Sequence, residues 1–176
     1  MIAKKTQRSV VLLLAPVLLL TGCGQTIAPE VIAIRESVLL SEEPSGAISI
    51  QEAKDSSAAA QATTPQAVTL IGQIDAGDSD PFDQTQAAFV LSELPDESHG
   101  GEGHDAGNCP FCKRKAAAAP KAYVTLHDGV ETKIPTPATD LLGLQKGDRV
   151  VVQGTAIWNE PVNMLSVEAS KIYVFR

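Results

Sequence analysis

The chain has little with which to stack a nucleobase or hold a phosphate. Its 176 residues include one Trp, two Tyr and four Phe, 4% aromatic in all. Acidic residues outnumber basic ones 21 to 14, for a net charge of −7. Such a surface repels polyanions, so nucleic acid is excluded as an expected partner. There is no glycine-rich phosphate cradle, no nucleophile elbow and no internal repeat. Lys113 follows Cys112 where a haem attachment motif needs a histidine. Three cysteines are too few for a disulfide framework. The most apolar run, Val10 to Leu20, is interrupted only by Pro16. It falls short of the roughly 20 residues that span a bilayer.

That run carries information of another kind. Lys4, Lys5 and Arg8 precede it and small residues follow it, the pattern of a secretory signal peptide over 1–22. Leu20-Thr21-Gly22-Cys23 resembles the lipobox of bacterial lipoproteins at all four positions. The resemblance implies cleavage before Cys23, a diacylglycerol on its thiol and a further acyl chain, such as palmitate, on its amine. Two or more chains anchor stably where one does not. Residue 24 is Gly and not Asp, which in Gram-negative lipoproteins favours the outer membrane over the inner one. The expected location is the periplasmic face of the outer membrane, with the membrane as the first partner and any protein partner unspecified. Loss of three basic residues with the leader takes the net charge from −7 to −10. Export also exposes thiols to oxidation. Cys109 and Cys112 must then be oxidised, metal-bound or actively kept reduced.

Residues 23–66 read as a lipid-anchored flexible linker. "AKDSSAAAQATTPQ" in particular has too few large apolar side chains to offset the entropy of ordering. Ser49-Ile50-Gln51-Glu52 could form a capping box, and the expectation there is a transient helical turn within the linker. From residue 67 to 176 the pattern is β. Strands are expected at 68–75, 87–94, 122–128, 149–158 and 164–176, the last two joined by a turn at 159–163. A short helix is expected within 136–148, capped by Thr139 or Asp140 and stopped by Gly147. Gly154 marks a bulge or barrel bend. This order resembles the OB fold, a mainly β, five-stranded Greek-key barrel with a helix between its third and fourth strands. A β-sandwich or another small barrel is the competing architecture.

The insertion at 95–120 separates the second and third strands. A loop this long in a compact domain is either functional or disordered. It holds "HGGEGHDAGNCPFCKRK", with two of the three histidines and two of the three cysteines. "CPFCKRKAAAA" reads as a helix with Pro110 in its first turn and Pro120 at its end. His99, His104, Cys109 and Cys112 form the candidate metal set. The cysteine spacing puts two sulfurs on one side of a helical turn, and glycines let the upstream segment wrap. Two thiolates and two imidazoles suit tetrahedral zinc, with copper as the soft-ligand competitor. His127, at the end of the following strand, is a possible extra ligand, although a surface position capping the strand is the plainer reading.

Two alternatives stay open. "CPFC" resembles the active-site tetrapeptide of thioredoxin- and glutaredoxin-like oxidoreductases, which implies thiol–disulfide exchange; the βαβ surroundings of that family are missing here. A structural envelope protein whose loop binds nothing is the other. The Asp75, Asp78 and Asp80 cluster lacks the full calcium-loop pattern and reads as a polar turn. Trp158, Tyr173 and Met164 are read as packing residues. As a whole the chain resembles small bacterial lipoproteins that carry an OB-like domain. The expectation is a binding or structural module, with catalysis the less favoured role.

Overall fold

A computed structural model of the chain describes residues 28–59, 64–94, 108–128 and 132–176. Five strands close into a barrel: β1 (Gln66–Ile74), β2 (Ala88–Ser92), β3 (Lys121–Leu126), β4 (Arg149–Asn159) and β5 (Met164–Val174). Around the ring they run β1-β2-β3-β5-β4. Neighbours are antiparallel except β3 and β5, which pair in parallel from Lys121↔Met164 to Leu126↔Ala169 and close the ring. This is the OB-like topology, and the strands fall within a few residues of the expected ones.

The inward set forms one core. Leu70 and Ile74 of β1, Phe89 and Leu91 of β2, Val124 and Leu126 of β3, and Leu165 and Ile172 of β5 are fully buried. Each such side chain contributes about 1.5–3 kcal/mol by leaving water. Along β5, Leu165, Val167 and Ala169 alternate with exposed Ser166, Glu168 and Ser170, and the phase then slips before Ile172. The slip is a bulge. Gln153 pairs with Lys171 but Gly154 pairs with Ala169, leaving Ser170 without an opposite number. Gly154 is required there, because a Cβ would stand 2.0 Å from the Glu168 carbonyl oxygen.

The helix between β3 and β4, here α4, spans Ala138–Leu142 and adds Ala138, Leu141 and Leu142 to the core. It differs in detail from expectation. Pro137 stands at the N-cap, so neither Thr139 nor Asp140 caps it, and Gly143 ends it at φ 67°. Gly143 reaches the left-handed region first, which leaves Gly147 (φ 97°) to the turn before β4.

The linker expectation for 23–66 needs correction over 29–59. Two helices form, α1 (Pro29–Val38) and α2 (Ile50–Ala59), and both pack on the barrel. Val38 and Ile50 are buried. The chain between the helices pairs with strand backbone: Leu40 N–H donates to Ile172 O (2.7 Å), Ile48 N–H to Thr69 O (2.9 Å) and Ile71 N–H to Ile48 O (3.0 Å). Ser49 does cap α2, its Oγ accepting from Glu52 N–H at 3.1 Å. The Glu93 carboxylate accepts from Gln51 N–H in the same turn, and its pKa is held above the usual range by burial. The physical reason is that Val38, Leu39, Leu40, Ile48 and Ile50 flank the polar stretch and find open core on the barrel wall. Composition averaged over the whole segment hides them.

Candidate metal centre

The insertion leaves the barrel after β2 and returns at β3. Its described part is helix α3, Pro110–Ala118. Pro110 sits at the first helical position, where its missing N–H costs nothing. The run of alanines carries the helix, and Pro120 follows its end. No α3 side chain is buried, and Phe111 is 66% exposed. The helix is pinned at its base by Asn163. That residue occupies the left-handed region (φ 51°) in the β4–β5 turn, a conformation Asn tolerates better than most. Its Nδ2 donates to Ala118 O (3.4 Å), its carbonyl accepts from Lys121 N–H (3.5 Å), and its Oδ1 accepts from Lys54 Nζ of α2 (3.1 Å).

Cys109 is the N-cap of α3 and Cys112 lies one turn further on. The Cys109 sulfur accepts from the Cys112 N–H at 3.5 Å. That bond, a second from the Cys112 thiol and a third from the Phe111 N–H hold the Cys109 pKa below that of an ordinary thiol. A helix N-terminus acts in the same sense by directing free N–H groups at the developing charge. The two sulfurs are not joined by a disulfide. A thiolate is what a soft metal ion binds, so this pair supplies two suitable ligands on one side of one helical turn.

Cys23, His99 and His104 lie outside the described residues. Among the described residues no group of three or more His, Cys, Asp or Glu gathers as a metal site, so His127 is not brought to the cysteine pair. The insertion returns at Lys121, and the length of β3, about 20 Å, separates that point from His127. His127 is half-buried. Its N–H donates to Ala169 O at 2.9 Å, and its buried Nε2 has no hydrogen-bond partner among the described residues.

The acidic β1–β2 loop is occupied with its own turns. Asp75 faces Lys146 Nζ at 3.3 Å. Asp80 accepts from Phe82 N–H (3.0 Å) and Gln84 Nε2 (3.1 Å). Asp83 takes the Thr85 hydroxyl (2.7 Å) and N–H (2.8 Å), Gln86 Nε2 (2.9 Å) and the Tyr123 hydroxyl (3.2 Å). These donors push its pKa far below the usual carboxylate range, the Thr85 hydroxyl foremost. Trp158 packs against the core with Lys54 Nζ 4.8 Å from its ring centre, and Tyr173 meets Phe175 edge-on at 5.0 Å.

Sequence reasoning passed over Asn163, for which the only available signal was an Asn in a turn. It also passed over the role of Glu93 at α2, which no local pattern marks. No family model matches the chain, and no curated protein matches it in sequence.

Proposed function

We propose that this chain is an exported lipoprotein, anchored through Cys23 on the periplasmic side of the outer membrane, whose OB-like domain binds zinc or copper through the β2–β3 insertion. Cys109 and Cys112 are the sulfur ligands. His99 and His104 complete the set on sequence spacing. The observation that carries the reading is the Cys109 sulfur, held toward its thiolate form at the head of α3 with Cys112 one turn away. A bound ion would supply charge neutralisation and cross-linking to a segment with no core of its own, coupling binding to local folding. The protein's part is to fix α3 on the barrel through Asn163 and to keep both sulfurs at the surface. Such a device binds or presents, and needs no catalytic step.

Cobalt(II) substitution tests this on the full-length chain in detergent. Thiolate-to-cobalt charge transfer and tetrahedral visible bands are expected. Cys109→Ser and Cys112→Ser should each lose the charge-transfer intensity, and His99→Ala with His104→Ala should change the tetrahedral bands. Spectra identical to aqueous cobalt would overturn the reading.

The lowered Cys109 pKa also favours a second reading, thiol–disulfide exchange, since a low-pKa cysteine at a helix N-terminus is the attacking group in such chemistry. Reduction of insulin disulfides by the metal-free dithiol, unaffected by loss of His99 and His104, would favour it over metal binding.

A further inference from the structure

Helix α1 lies directly after the anchor. Only six peptide steps separate Cys23 from Pro29, a reach of at most about 20 Å even fully extended. A lipidated Cys23 sits at the bilayer surface, so the start of α1 can never be far from lipid. The residues that α1 exposes are Pro29, Glu30, Ile32, Ala33, Glu36 and Ser37, so Ile32 stands as a large apolar side chain on an otherwise small or polar face. Ile32 is 44% exposed, one of the few large apolar side chains so exposed among the described residues. Beside it a cleft of about 540 Å³ opens between α1, the segment 39–41 and α4, with Val31, Ile32, Leu39, Leu40 and Leu141 in its lining and Arg35 at its side.

We infer that this face is the docking surface of the domain on the membrane, with Ile32 and the cleft mouth taking lipid acyl chains at the headgroup boundary. The inference rests on the anchoring reading of Cys23. The tether supplies proximity, and Ile32 with the apolar side of the cleft supplies the contact. An apolar side chain gains by entering the headgroup–acyl boundary. Charge does not assist: Glu36 lines the cleft beside Arg35, Glu30, Glu42 and Glu43 are exposed in the same stretch of chain, and the exported chain is strongly acidic. The contact is therefore apolar, indifferent to salt, and suited to zwitterionic lipid. Docking through α1 fixes one orientation of the barrel relative to the bilayer, in place of free tumbling on a leash.

The test uses the full-length lipoprotein in phosphatidylcholine vesicles, with an indole reporter in a Trp158→Phe background. Ile32→Trp reports the α1 face. Gln84→Trp, an exposed position just before β2 and across the ring from β4 and β5, reports the opposite wall. Mass spectrometry first establishes whether Cys23 is acylated. With acylation present, emission from position 32 should shift to the blue and be quenched by brominated phosphatidylcholine at low and high salt alike. Position 84 should remain solvent-like. Solvent-like, unquenched emission at position 32 in the acylated chain would overturn the inference and leave the anchor intact. A blue shift without quenching would also overturn it, because the cover would then be protein, such as a second copy. An unmodified Cys23 would remove the anchor and the inference together.

Discussion

Cys109 is the residue on which the proposed chemistry turns, and its behaviour is specific enough to check. Its sulfur is held toward the thiolate by the Cys112 N–H and thiol. Alkylation of the metal-free chain should therefore show Cys109 titrating below an ordinary thiol. Replacing Cys112 by Ala should raise that midpoint by removing the thiol donor while sparing the backbone one. Site-resolved mass spectrometry of iodoacetamide labelling against pH reads both. Asp83 gives a second test. Its folded-state pKa is depressed, so its contribution to stability is present above the unfolded carboxylate value and fades as pH falls towards the folded one. Asp83→Asn should flatten the acid side of the stability–pH curve in that window and change little at neutral pH beyond the lost hydrogen bonds. Urea denaturation from pH 3 to 7 shows which holds. At this scale the sequence was readable for Cys109 and Cys112, because CxxC with a proline at the second position places itself at a helix start. It was silent on Asn163, whose partner Ala118 lies 45 residues away, and on the Tyr123 hydroxyl, which reaches Asp83 from 40 residues away.

Elements were legible where one face alternates over several residues, as in the first half of β5, or where glycine and proline punctuate, as around β4 and α3. Gly154 was recognisable as a bulge residue from its place inside an apolar run, and the fold gives it the expected role beside Ser170. Gly154→Ala should cost about 2 kcal/mol or more, since its Cβ meets strand backbone and nothing flexible can move aside. A chemical-denaturation midpoint with unchanged slope is the measurement. The α4 boundaries were misjudged because Gly143 and Gly147 both satisfy a stop signal, and only the one nearer the core segment is used. α2 was undervalued because its helix is mostly Ala, Ser and Lys, with burial concentrated in Ile50 and Ala53. Ser49→Ala should lower stability by about 1 kcal/mol through loss of the cap. Ile50→Ala should lower it by about 2–5 kcal/mol. A near-zero effect for Ile50→Ala would return α2 to the linker.

For the whole molecule, the consequence is that residues 29–59 belong to the folded unit along with the barrel. A chain starting at residue 64 loses Val38 and Ile50 from the core, so it should be less stable than one starting at 28 by about 3 kcal/mol or more. Equal denaturation midpoints would show the helices to be ornamental. The OB-like order was legible because its strands are separated by clear turns. The partners across the ring, above all the parallel β3–β5 closure, follow from topology that no local pattern states. The central claim, that the insertion holds a metal ion, is met most directly by elemental analysis of the full-length chain purified in detergent without chelators or nickel resin. About one equivalent of zinc or copper per chain is expected, as for a closed four-ligand site, falling to background in Cys109→Ala with Cys112→Ala. Background metal in the unaltered chain, with both thiols fully alkylated at once, would contradict it.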